Sequence, residues 1–243
     1  MTAASAPLIE VHPDAGALAT AVAGELLSRL ADAQEAGREP QIALTGGSIA
    51  EALHRELARL SPGSGVDWTR VVVWWGDERF VPADDPDRNA GQARRAFLDE
   101  VGATQVHEMP ASDSGADVAA AAQAFEDAVQ AHGAGEFEVV MLGIGPDGHV
   151  ASLFPGRPEL AVEDRIAVAV TDSPKPPPER ITFTFPALNR SRSVWLVASG
   201  EGKAEAVARA LADAGSVEET PARGVRGQVD TVWFLDREAA SRL

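Results

Sequence analysis

Asp147 and His149 stand two residues apart in Gly143-Ile144-Gly145-Pro146-Asp147-Gly148-His149, at the end of the apolar run 139–144. A carboxylate beside an imidazole can fix its tautomer and raise its basicity, and a neutral imidazole can take a proton from water. The pair reads as a general base with its orienting acid; the plainer alternative is a histidine that only hydrogen-bonds its loop. The stretch also matches G-x-G-x-x-G. Pro155 and Pro158 follow, however, and no helical periodicity continues. A dinucleotide fingerprint needs a helix to open inside the motif, so that match is rejected.

A second candidate is Gly46-Gly47-Ser48, a turn between an apolar strand and a helical pattern. Such a turn can present backbone N–H groups and a helix N-terminus to an anion, and Ser48 adds a hydroxyl. No Gly-Lys-Ser/Thr follows, so it is not a Walker loop. The alternative is an ordinary serine N-cap. Arg79, Arg180 and Lys203 are the candidate phosphate binders, because a guanidinium fork or a compact ammonium suits phosphate oxygens; taken singly, each could equally be a surface ion pair. Asp77 and Glu78 are either acids of the site or anchors for Arg79, and the structural role is favoured, with Asp77 counted among the ligand-binding positions. His54 falls on the polar face of its helix, and His12, His107 and His132 lie in loops or at helix ends. All four are expected to be solvated, and their spacing suggests no zinc site.

The elements that must position these groups follow from periodicity. Leu18, Val22, Leu26 and Leu30 mark an amphipathic helix ending near Gly37 and Pro40, and Ile49, Leu53, Leu57 and Leu60 mark another. Residues 89–101 read as a helix, Val118, Ala122, Phe125 and Val129 as a further one, and Ala204, Val207, Ala208 and Leu211 as the last long one. Strands are expected at 41–45, 71–75, 139–144, 181–185, 194–198 and 231–235, with one more at 166–170 inside the otherwise irregular stretch 155–178, and a short helix after the final strand. Strands alternating with helices predict a Rossmann-like three-layer α/β/α fold with a mainly parallel sheet, formed as a single domain over 1–243. Ligands of such sheets bind beyond the carboxyl ends of the strands, where the Gly46, Gly76, Gly143 and Gly200 loops all emerge.

Composition bounds the function class. Nothing in the chain reaches 18 consecutive apolar residues, so no membrane span is expected. The first thirteen residues lack a basic start followed by an apolar run, and do not read as a signal peptide. The absence of cysteine excludes disulfides and thiolate chemistry and fits a reducing, cytoplasmic setting. A net charge of −16 argues against nucleic acid or an anionic membrane as partner. It does not argue against a small phosphorylated ligand, since surface charge is largely screened beyond about 8 Å.

These segments resemble the 6-phosphogluconolactonases and, more distantly, the glucosamine-6-phosphate deaminases. The resemblance is carried by Leu44-Thr45-Gly46-Gly47-Ser48, Trp75-Gly76-Asp77-Glu78-Arg79-Phe80-Val81-Pro82, Asn89, the block from Gly143 to Pro155, Arg180-Ile181-Thr182 and Gly202-Lys203-Ala204, in order along nearly the whole chain. It implies hydrolysis of 6-phospho-D-glucono-1,5-lactone in the pentose phosphate pathway, with no required metal or cofactor; a monomer is expected. His149 would be the catalytic base and Asp147 its neighbour, with the phosphate on Gly46, Gly47, Ser48, Arg79, Arg180 and Lys203. Many relatives carry a small polar residue and proline after Gly-Gly-Ser, whereas Ile49 and Ala50 follow here. The deaminase alternative is disfavoured because those relatives carry glutamate where this chain has Phe154, and usually tyrosine where it has Arg79. A non-catalytic sugar-phosphate sensor is disfavoured by the presence of both Asp147 and His149.

Overall fold

The computed structural model describes residues 6–133 and 136–243. The chain opens with β1 (Leu8–His12) and α1 (Ala15–Glu35), where the Asp14 carboxylate caps the helix by accepting from Ala17 N at 2.9 Å. Then come β2 (Gln41–Leu44), α2 (Ser48–Leu60), β3 (Val72–Trp75), β4 (Asp77–Arg79) and α3 (Asn89–Ala93), which runs on as a π-helical segment, Arg94–Leu98. They are followed by β5 (Gln105–Val106), α4 (Val118–His132), β6 (Val139–Leu142), β7 (Ala167–Val170) and β8 (Arg180–Phe183). The chain closes through α5 (Phe185–Leu188), β9 (Ser193–Ala198), α6 (Ala204–Leu211) and β10 (Asp230–Asp236).

Seven strands form one parallel sheet in the order β1-β10-β9-β6-β2-β3-β5. Both faces are covered, so its central strands are buried throughout and mostly apolar, yet their residues still divide by the period of two. Ile42, Val73, Met141, Trp195 and Phe234 enter one core, with α1, α2 and α3. Ala43, Trp74, Val140, Leu196 and Trp233 enter the other, with α4 and α6. A three-stranded antiparallel sheet, β4-β8-β7, adds Ile181 and Phe183 to that second core. The Rossmann-like layered architecture predicted from periodicity is therefore present.

Several local expectations differ. β1 was not anticipated, although its register against β10 runs from Leu8 opposite Val232 to His12 opposite Asp236. The expected strand at 181–185 belongs to the small sheet, pairing antiparallel with β4, which reads as a charged loop because Asp-Glu-Arg has no apolar alternation. The last residues, after β10, form turns in place of a short helix. His54 is 3% exposed, its ring 5.0 Å from that of Phe97: the π-helical segment covers the flank of α2 that a lone helix would leave in water. His107 likewise stacks on Trp74, with ring centroids 4.2 Å apart. No described helix is long and apolar enough to cross a membrane. The reading of residues 1–13 as lacking a signal peptide falls in part on residues 1–5, outside the described ones.

Candidate active site

The order of the main sheet dictates where a site can form. From β2 the chain builds outward through β3 to β5, and from β6 it builds the other way through β9 to β10, which lies beside the first strand, β1, at the edge. The neighbouring strands β2 and β6 thus flank the switch point, where two diverging loops leave a crevice at the carboxyl edge. The loop after β2 carries Gly46, Gly47 and Ser48; the loop after β6 carries Asp147 and His149. Gly143 N donates to Thr45 Oγ1 at 3.3 Å, tying the two loops together at their roots. The crevice is a cleft of about 310 Å³ whose walls include Gly46, Gly47, Ser48, Asp77, Arg79, His149, Arg180 and Lys203. Of the nine predicted site residues, only Asp147 does not itself line it, and Asp147 touches His149.

Residues 143–149 close as a tight loop, with Gly148 N donating to Gly145 O and Gly145 N to His149 O, each at 2.9 Å. No helix opens there, as expected from the prolines. His149 Nδ1 lies 2.5 Å from Asp147 Oδ1. The carboxylate can only accept, so the proton is on Nδ1, and Nε2 is left as the basic nitrogen with no hydrogen-bond partner among the described residues. Burial opposes the charge on Asp147, but the hydrogen bond from His149, together with the charge and hydrogen bond of Lys175, outweighs it and holds the carboxyl well below the usual carboxylate range. Phe154 packs its ring 4.6 Å from the imidazole.

On the opposite wall, α2 begins at Ser48 behind the N-cap Gly47, which supplies no side-chain cap. Ser48 is thus the first helical residue and not the capping serine, and the helix N-terminus opens towards the cleft. Arg79 is held from behind: its Nη1 donates to Asp87 O at 2.5 Å and to Asn89 Oδ1 at 2.8 Å. Asn89 itself donates to Asp77 O at 3.0 Å and lies so close to Gly46 that a Cβ there would meet Asn89 Oδ1 at 1.9 Å. Glu78 accepts from Arg79 N, Asn89 N and Ala90 N, each at 2.8 Å. It caps α3 and anchors the backbone of Arg79, so it is the structural acid. Asp77 accepts from Ser152 Oγ at 2.7 Å and lies 4.0 Å from Arg180 Nη1.

The remaining cations are distributed unexpectedly. Lys203 Nζ donates to Ile144 O at 2.7 Å. Burial lowers its pKa, and the nearby charge of Lys175 adds to this while Asp147 opposes it. Arg180 is buried, and its Nε and Nη2 donate to the carbonyls of Pro177, Lys175 and Pro176. Lys175, which sequence reasoning missed, lines the cleft with Nζ 3.2 Å from Asp147 Oδ1. A signal was there: Lys175 and Lys203 are the only lysines in the chain, and both reach the same cleft. Among the described residues no three His, Cys, Asp or Glu side chains converge as a metal site.

A doubly covered parallel sheet with an imidazole–carboxylate pair and an uncapped helix N-terminus at its switch point defines a Rossmann-like α/β enzyme. Residues 13–233 match the family described as glucosamine-6-phosphate isomerases/6-phosphogluconolactonase. A 6-phosphogluconolactonase of Mycobacterium tuberculosis is 46% identical over 97% of this chain and 98% of the relative, and one of Streptomyces coelicolor is 44% identical over 98% and 95%. The solved structure of a 6-phosphogluconolactonase from Trypanosoma cruzi superposes with a TM-score of 0.86 at 26% identity, covering 99% of this chain and 98% of that one. The chain belongs to the glucosamine-6-phosphate isomerase/6-phosphogluconolactonase family.

Proposed function

We propose that the cleft hydrolyses 6-phospho-D-glucono-1,5-lactone to 6-phospho-D-gluconate, with His149 as general base and Asp147 as its orienting acid. The observation that carries this reading is the imidazole whose Nδ1 is bound to Asp147 while its Nε2 has no partner among the described residues, in a cleft shared with the Gly46–Ser48 turn. The phosphate would rest on the N–H groups of that turn, with Arg79 and Lys203 supplying charge. Gly46, Gly47 and Ser48 act through close backbone approach. Asp77 and Arg180 shape the wall that faces the sugar.

His149 Nε2 then takes a proton from water as the water oxygen bonds to the lactone carbonyl carbon. On collapse the bond from that carbon to the ring oxygen breaks, and the proton passes from His149 to the departing oxygen. Phe154 against the imidazole provides no second proton carrier, which disfavours an isomerase or deaminase reaction. The two cores on the faces of one sheet support a single domain over 1–243. A cytoplasmic setting and a small ligand in place of nucleic acid fit an absence of cysteine and a charge of −16, and the expected state is a monomer.

The test is a lactone-hydrolysis assay corrected for the spontaneous rate. His149→Ala is expected to lower kcat by a factor of about 10² to 10⁴. Wild-type turnover in that variant would remove His149 from the mechanism.

A further inference from the structure

Lys175 is a cation for which the scheme above has no task, and its surroundings are built with unusual care. Ser173 N donates to Pro178 O at 2.9 Å, closing the proline-rich loop. The buried Ser173 hydroxyl donates to Lys175 O at 2.8 Å and accepts from Lys175 N at 3.2 Å. From the other side Arg180 donates to the carbonyls of Lys175, Pro176 and Pro177 at 3.2, 2.9 and 3.2 Å. Two buried polar side chains therefore satisfy the backbone of one short loop, and the one charge that loop presents to the cleft, beside Pro176, is the Lys175 ammonium.

That ammonium is the cation nearest the imidazole. Its Nζ lies 3.1 Å from His149 Nδ1, but that nitrogen already carries the proton donated to Asp147, so the bond Lys175 makes is to Asp147 Oδ1. An ammonium has three donors, and the other two have no partner among the described residues. The side chain is 37% exposed, and its flexible four-carbon stem can follow a ligand. The other cations have different duties: Arg79 stands beside Asn89, Lys203 is tied to Ile144 O, and Arg180 holds the loop.

Resting on the lactone-hydrolysis reading, we propose that Lys175 is a catalytic residue that donates a hydrogen bond to the lactone carbonyl oxygen as negative charge develops there, and that Ser173 and Arg180 are its positioning residues. When the water oxygen bonds to the carbonyl carbon, the π pair moves onto the carbonyl oxygen, and a Lys175 N–H donates to it without giving up its proton. On collapse the pair returns as the ring carbon–oxygen bond breaks. A cation whose hydrogen bond strengthens only as charge develops in the transition state acts on kcat and not on ground-state binding.

The experiment uses the full chain with 6-phosphogluconolactone. Lys175→Met and Lys175→Gln are expected to lower kcat by about 10² to 10³, with KM changed by less than about threefold. Lys175→Arg should restore about tenfold of that loss, because charge and donors return in altered geometry. Ser173→Ala should lower kcat less, again with KM unchanged. Thermal melts check folding, and two neutral replacements guard against one that fails to fold. A raised KM with intact kcat in the Met and Gln variants would make Lys175 a phosphate holder and overturn the proposal, as would wild-type kinetics. Unchanged kinetics in Ser173→Ala would overturn the positioning role. Failure of the wild-type protein to hydrolyse the lactone would sink the underlying reading; an active wild type with active Met and Gln variants sinks only this one.

Discussion

A methyl group at position 145 would stand 1.9 Å from His149 Nδ1 and 2.4 Å from Asp147 Oδ1, so the backbone there leaves room for nothing larger than glycine. The ring cannot retreat freely, since Phe154 packs against it. Gly145→Ala is therefore expected to lower kcat about as far as loss of the base itself, roughly 10² to 10⁴, while circular dichroism stays native. Near-normal turnover would show that the imidazole can act from another position. At this scale the sequence was informative where chemistry is local. Asp147 and His149 are two residues apart, and the glycines around them announce a loop. It was uninformative about Lys175 and Arg180. Which of two cations five residues apart faces the ligand, and which ties down the loop between them, depends on how six residues fold back, and no periodicity encodes that.

At the scale of elements, the junction of β4 and α3 decides where Arg79 points. Glu78 is buried, which pushes its carboxyl pKa up, and the amides of Ala90, Asn89 and Arg79 together with the charge of Arg88 only partly offset this. Removing it leaves three N–H groups, two of them buried, without an acceptor. Glu78→Ala is expected to cost about 2 to 4 kcal/mol in urea unfolding and to raise KM through a displaced Arg79. Glu78→Gln, which keeps one acceptor oxygen, should cost less. Equal stability of all three proteins would refute the capping role. The strand bearing Glu78 was invisible beforehand because three charged residues have no alternation; its partner β8 supplies the pairing. The long helices and central strands were legible because each repeats its apolar residues at the period of its own geometry.

For the whole molecule, burial of His54 makes stability depend on pH. Burial alone lowers its pKa from the ordinary 6.5 to about 4. Between those values the unfolded chain binds a proton that the folded chain refuses, so stability falls as pH drops from 6.5 towards 4. The loss from this group reaches about 2 kcal/mol by pH 5, from about 1.4 kcal/mol per pKa unit. Denaturant unfolding at pH 7.5 and pH 5 should show it in the wild type, and His54→Leu should flatten the difference. An identical pH dependence in both proteins would assign the effect to other groups.

What the sequence determined by itself was the class of fold and the set of loops that could carry chemistry, because apolar period and glycine-rich strand ends are properties of neighbouring residues. Tertiary structure decided the order of the sheet, and with it the switch point between β2 and β6 that brings residues about a hundred positions apart into one cleft. It also decided that His54 lies in a core and that Lys175 stands against Asp147. Those outcomes depend on which surfaces pack together, and long-range packing leaves no signature in local spacing.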